Sequence, residues 1–394
     1  MFNIICVTIT ILCGLSFIEL LYPNAKNLSN QLYQVAILTT AFLVGIKYYF
    51  GPDIMIYVPM YETIQTPIDL YYNPNPSRYE IGFRFYCSIC KHWLGLNFWA
   101  MTASITILYF TSLHLVLRQL PALKTFALFT IIFLQTNLVF FEYRQCMAVA
   151  LFILSILAFN KQQDILYILF TLLALLIHKS APIVCGVSLI GLIIFRFKQD
   201  NSFFAISILF LFAFIAIPLK SLLLTLSDLL PFSANVLKSI QDHLIVERRV
   251  QVVFLAYLIV SYCVYYYFYQ SKKLKTWHII TICGLIMIAL FYQYWFFINR
   301  LRSYFIPFIA LYTISLCYNS INKYIFAKQS AILIIYFLFF INLKNLYIGN
   351  GNLKSGIAET STIFQLLNDT EENIKNRNLK KAETFWLTEY QKQE

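Results

Sequence analysis

Apolar stretches of about twenty residues, long enough to cross a bilayer, recur along almost the whole of this chain, and they leave few folds open. A backbone in hydrocarbon must satisfy its own hydrogen bonds, so runs this long read as transmembrane helices. With 60% hydrophobic and 12% charged residues, the chain cannot give a soluble globule an ordinary polar surface. Spans are predicted near residues 2–21, 31–50, 98–117, 124–141, 146–160, 164–178, 181–197, 203–219, 251–270, 277–296, 303–319 and 330–347. The expectation is an all-α polytopic membrane protein of about twelve helices over residues 1–349, followed by a polar tail of mixed charge over 350–394.

The first apolar run, from Phe2 to Leu21, lacks a basic leading region and a small-residue cleavage site, so it reads as a spanning helix and not as a removable signal. Cys6, Cys13, Cys146, Cys185, Cys263, Cys283 and Cys317 sit inside apolar segments, where a thiol packs as a small hydrophobe. Cys87, Cys90 and His92 superficially suggest a metal, but no second Cys/His pair follows at zinc spacing, and no metal is expected. A net charge of +12 would suit nucleic acid if it were clustered. Here the basic residues stand singly between apolar spans, which excludes that partner.

Two connections are long, 51–97 and 220–250, and both are expected on one side of the bilayer. The short loops around Lys26, Arg118 and Lys124, Lys161, Arg196 and Lys198, Lys272, Lys273 and Lys275, and Lys323 and Lys328 alternate with the others. The positive-inside rule makes them cytoplasmic and the two long loops external. Seven of the ten arginines (Arg78, Arg84, Arg144, Arg248, Arg249, Arg300, Arg302) then fall on the external face, opposite a side that is mostly lysine. A guanidinium grips phosphate or carboxylate through two parallel hydrogen bonds, whereas an ammonium acts as a hydrated point charge. Arginines at helix ends on the outer side therefore point to an anionic ligand there. The segment from Tyr79 to Trp93 carries Glu80, Arg84, Lys91 and His92 among apolar residues; it is too polar to span and reads as a re-entrant or interfacial helix.

Four polar groups interrupt the apolar runs and share that face: Gly51-Pro52-Asp53 with Tyr57, Tyr61 and Tyr79-Glu80-Ile81-Gly82-Phe83-Arg84; Phe141-Glu142-Tyr143-Arg144-Gln145; His178-Lys179-Ser180; and Asn299-Arg300-Leu301-Arg302. Ionisable groups near membrane depth are costly, so they mark a functional site by default. Bland readings compete with this: a loop ion pair for Glu142 and Arg144, an interfacial residue for His178, and lipid-phosphate anchors for Arg300 and Arg302.

In order and spacing, the Gly-x-Asp with following tyrosines, the Tyr-Glu-x-Gly-Phe, the Tyr-Arg-Gln-x-x-Ala turn, the His-x-Ser and the Arg-x-Arg-x-Tyr-Phe segment resemble the EpsG-like branch of the Wzy polysaccharide polymerases, over roughly residues 30–310. Pro52, Ile81 and Cys146 are mild departures. The resemblance implies a glycosyltransferase of the bacterial inner membrane, similar to the type-C glycosyltransferases in being helical and metal-free, with no cofactor. Its site would face the periplasm or cell exterior, and it would join oligosaccharide repeat units carried on undecaprenyl pyrophosphate into O-antigen, capsule or exopolysaccharide, with a chain-length regulator as a further expected partner.

Cleaving a glycosyl–pyrophosphate bond builds negative charge on the leaving group, which arginines can stabilise. Arg144, Arg300 and Arg302 are the candidates, with Arg84 next. The acceptor hydroxyl must lose a proton to a base within hydrogen-bond reach. His178, Glu142, Glu80 and Asp53 qualify by type; the resemblance favours His178, with Glu142 orienting Arg144 or the sugar. Asp53, Glu80, Tyr57 and Tyr79 are candidate sugar contacts, through hydroxyl hydrogen bonds and ring stacking. An O-antigen ligase and a flippase or transporter of lipid-linked oligosaccharide are the competing readings. Against transport, the chain shows no internal repeat, and its polar groups gather at one face rather than at mid-depth.

Overall fold

The computed structural model describes residues 4–47, 54–72, 79–197, 276–290 and 295–323, with tail positions 372, 373, 376 and 380. The spans expected near 203–219, 251–270 and 330–347, the connection 220–250, Asp53, Arg78, Arg248 and Arg249 lie outside the described residues. All regular structure among the described residues is helical: α1 (Ile4–Leu21), α2 (Lys26–Gly45), α3 (Ile54–Glu62), α4 (Pro67–Tyr72), α5 (Ile81–Ser88), α6 (Phe98–Leu117), α7 (Lys124–Leu134), α8 (Thr136–Phe140), α9 (Tyr143–Asn160), α10 (Asp164–Ile177), α11 (Ala181–Phe197), α12 (Thr276–Leu290) and α13 (Trp295–Lys323), with a π-helical turn (Ile89–Trp93) extending α5. Among these, α1, α6 and α9 are long and apolar enough to cross a membrane, and shorter apolar helices accompany them.

α9 is the central element. It packs against α6, α8, α10, α11, α12 and α13, and its side chains are buried around most of its circumference. Cross-contacts order the helices between two ends of the bundle. At one end, the Glu19 carboxylate near the close of α1 accepts from Phe126 N–H in the first turn of α7, and Lys124 donates to Asn30 Oδ1 of α2 at 2.8 Å. Thr276, opening α12, donates to Asn160 Oδ1, closing α9. The other end holds the start of α9, the turn between α10 and α11, the first turns of α13, and α5.

Three sequence expectations are corrected here. The run 124–141 is not one helix: it breaks at Gln135, whose φ of −117° and ψ of 23° leave the α-region, so α7 and α8 are separate. The buried Gln135 amide fills the gap, with Oε1 accepting from Tyr109 and Nε2 donating to Ser303 O at 2.5 Å. That carbonyl lies four residues before Pro307, which has no N–H to offer it, so one side chain repairs the proline defect of α13. Secondly, the span expected at 303–319 starts earlier: α13 begins at Trp295 and runs for 29 residues, about 44 Å, so Asn299–Arg302 lies inside the helix and not before it. Thirdly, the long connection 51–97 carries two helices, α3 and α4, ahead of the one expected within 79–93.

The helix over residues 81–93 is about 20 Å long, short of a bilayer core of roughly 30 Å. Its polar side chains bind carbonyls at the end of α3 and in the turn after it: Ser88 Oγ to Gln65 O, Lys91 Nζ to Glu62 O, and a His92 Nε2 contact of 3.0 Å to Ile64 O. Cys87 and Cys90 are buried in its packed face. Gly82 allows the closest approach in this region: a Cβ there would stand 2.6 Å from Leu176 Cβ and 2.7 Å from Leu176 O of α10.

Candidate active site

That close approach brings Glu80, immediately before α5, alongside the turn that follows α10. The residue has extended backbone (φ −62°, ψ 140°) and stands at the N-cap position, yet its side chain does not cap its own helix. Both carboxylate oxygens serve other elements instead. Oε2 pairs with Arg144 Nη1, and Oε1 accepts the Lys179 N–H at 3.1 Å.

Arg144 stands in the first turn of α9, where the helix dipole disfavours a cation. Its neighbours offset that cost. Besides the Glu80 ion pair, Nε donates to Tyr57 OH at 2.8 Å, and the guanidinium carbon lies 5.0 Å from the centre of the Tyr79 ring and 5.7 Å from that of Tyr57. The pair is recessed but open, with 21% of the Arg144 side chain and 16% of Glu80 accessible, enough for a ligand to reach the guanidinium.

The third group joins through the same acid. His178 leaves α10 in extended conformation (φ −149°, ψ 131°), and its imidazole is buried. Ser180 N–H donates to Nδ1 at 3.2 Å; a main-chain N–H can only donate, so Nδ1 presents its lone pair. Ser180 Oγ, 2.7 Å from Nδ1, then donates to it as well, and Tyr304 OH donates to Ser180 Oγ at 3.0 Å. These bonds place the ring proton of the neutral imidazole on Nε2. Among the described residues, the cations Arg144, Arg300 and Lys179 are near enough to act on this ring.

Tyr304 connects the turn to α13, as does Gln145, whose Nε2 donates to Arg300 O at 2.7 Å. Arg300 and Arg302 thus stand in the second turn of α13, at the end of the bundle that carries Arg144, with both side chains partly accessible. Glu142 is also partly accessible and directly precedes α9, its carbonyl accepting from Cys146 N–H at 2.8 Å.

Of the residues expected at the site, the structure gathers Glu80, Tyr57, Tyr79, Glu142, Arg144, His178 and Arg300; Arg302 follows two residues further along α13. Arg84 is buried, 9% exposed, on the packed face of α5. Tyr57 is buried too, with its hydroxyl on Arg144 and its ring among Tyr79, Phe83 and Tyr143, which gives it a part in holding the arginine. Among the described residues, no three His, Cys, Asp or Glu side chains gather as metal ligands would.

Two buried polar side chains near this end of the bundle were missed by sequence reasoning. Gln135 and Lys47 both lie within runs read as unbroken spans, and a polar or charged residue inside such a run was the available signal. Lys47 Nζ donates to Val139 O at 3.0 Å and to Phe140 O at 3.2 Å, beneath the Glu142–Arg144 turn.

The described residues form an all-helical bundle with an accessible arginine–glutamate pair and further arginines at one end, and their apolar helices mark an integral membrane protein. The family model of the EpsG family matches residues 30–355, well over half of the sequence. The chain belongs to the EpsG family, and this membership gives it a role of the polysaccharide-polymerase type, glycosyltransferase-like. No curated protein and no solved structure matches the chain.

Proposed function

We propose that this protein is a polymerase that joins undecaprenyl-pyrophosphate-linked oligosaccharide units at the outer face of the bacterial inner membrane. In this reading about a dozen spans carry the site, in an arrangement related to type-C glycosyltransferases. The observation that carries the proposal is the junction of α5, α9, the α10–α11 turn and α13 at one recessed cluster, with Arg144 held by Glu80 and Tyr57 and the Arg300 backbone held by Gln145.

The reaction breaks the bond between the anomeric carbon of the growing chain and its pyrophosphate, and forms a bond from that carbon to an acceptor hydroxyl. The acceptor proton leaves to a base, and the departing pyrophosphate gains charge. Arg144, Arg300 and Arg302 meet that charge, preorganised so that little reorientation is needed as it develops. Arg84, behind them in α5, adds positive potential. Glu80 and Tyr57 orient Arg144, while Tyr79 offers ring surface to a sugar; Asp53 is retained as a sugar contact. With Nδ1 of His178 engaged by Ser180, the imidazole serves as a neutral donor through Nε2, and Glu142 takes the acceptor proton. Membrane lipid is the solvent and carrier; no cofactor enters this scheme.

Expression of Arg144→Ala and Arg300→Ala in cells that depend on this chain for surface polysaccharide tests the reading. Loss of long chains with normal membrane insertion is expected. A normal ladder of lengths overturns it. Uncapped lipid core beside free lipid-linked polymer would point to a ligase, and unflipped repeat units on the inner leaflet to a transporter.

A further inference from the structure

We infer that Lys47 is a positioning residue for the Glu142–Arg144 turn, a clamp reaching from α2 into the site. The inference rests on the polymerase reading above for its consequence in catalysis, but its geometry stands on separate observations.

α8 has five residues and ends at Phe140, so the carbonyls of its last turn have no helical donors ahead of them. Asn137 O is served by the N–H groups of both Phe141 and Glu142, at 2.9 and 3.3 Å. Two further carbonyls of this short helix, Val139 O and Phe140 O, both accept from Lys47 Nζ. A cation at a helix C-terminus also matches the sign of the dipole there. On the far side of the turn, the same ammonium lies 4.5 Å from the centre of the Tyr143 ring, within cation–π range. One buried charge therefore grips the chain two and three residues before Glu142 and again at the residue after it. Arg144 is the next residue, and its guanidinium must meet Tyr57 and Glu80 from this turn.

Helix capping alone does not need a buried ammonium, since a hydroxyl, an amide or water can satisfy two carbonyls. A lysine at this depth is costly to keep, and an apolar residue of similar volume often replaces such a charge without loss of stability. What an apolar residue cannot do is hold the carbonyls of residues 139 and 140 and the ring of Tyr143 together.

Lys47→Met, Lys47→Arg and the native chain are compared in detergent or nanodisc, using purified lipid-linked repeat units as substrate. For Lys47→Met, relief of the buried charge opposes loss of the carbonyl bonds, so Tm stays within a few degrees of native. Polymer formation falls at least thirty-fold, through kcat with KM little changed, and Lys47→Arg restores most of it. Backbone hydrogen exchange in Lys47→Met rises at residues 141–146 and stays at the native level in α6. Polymer formation within two-fold of native overturns the inference, as does a parallel fall of Tm and activity with exchange rising throughout the bundle. If the native chain itself joins no repeat units, the polymerase reading fails, and the exchange pattern alone then decides whether Lys47 holds the turn.

Discussion

Two glutamates, one at each end of the bundle, face similar problems and solve them differently. Glu19, 1% exposed, accepts from Ser29 Oγ at 2.5 Å and from Phe126 N–H at 2.9 Å, completing the start of α7. That start needs help, because Leu123 at the N-cap position has a left-handed backbone (φ 60°) and supplies no side-chain cap. Glu80 also receives one main-chain N–H, from Lys179, but gives its other oxygen to Arg144, a cation that remains accessible. The first carboxylate is consumed by the fold. The second turns the fold outward by fixing a charge that a ligand can still reach. An acid near a helix start thus says little about its use until its second partner is known.

The comparison breaks most sharply at the arginines. Arg144→Ala and Arg300→Ala are expected to lower polymer formation at least about a hundred-fold, the scale for losing a preorganised charge at a developing anion. Thermal melting in detergent checks that the protein is otherwise intact, and a variant that retains polymerisation would reduce this end to another structural cap. Next in size, Glu80→Gln keeps the shape but removes the charge that aims Arg144. A loss of about 10- to 100-fold in kcat is expected, with Tm nearly unchanged. If Tm falls instead, Glu80 resembles Glu19 after all.

Glu19→Ala should do the reverse. Its removal strands the Phe126 N–H and the Ser29 hydroxyl, costing about 1–3 kcal/mol of stability, while the specific activity of protein that remains folded stays native. A Glu19→Ala protein that melts normally but polymerises poorly would erase the distinction between the ends. The smallest effect is expected for His178→Gln, whose amide can donate from nearly the position of Nε2 but cannot act as a base. Activity within about ten-fold of native supports the donor role. Complete loss would return the base to His178.

Much of this organisation was legible in the chain. Recurrent apolar runs fixed its helical membrane character, because hydrocarbon admits little else. Those runs also placed α1, α6, α9, α10 and α11 within a few residues of their structural bounds. Polar interruptions marked Glu80, Arg144, His178 and Arg300, since a charge in such a context is too costly to be incidental. Side-chain repair was not legible. The break at Gln135, the amide that bridges Tyr109 to the proline-orphaned carbonyl of Ser303, and the lysine beneath the Glu142–Arg144 turn all depend on partners 26 to 168 residues away.

The sequence by itself determined the medium, the helical class and which residue types gather where apolar runs stop, because each follows from local hydrophobicity and from the cost of burying charge. Only the tertiary structure decided what each polar group does there. It turned Tyr57 from an open sugar platform into a support for Arg144, placed the proton of His178 on Nε2, and made one glutamate a cap and another a tether. A hydrogen-bonding group is assigned its role by the partner that reaches it, and in a bundle that partner comes from another helix.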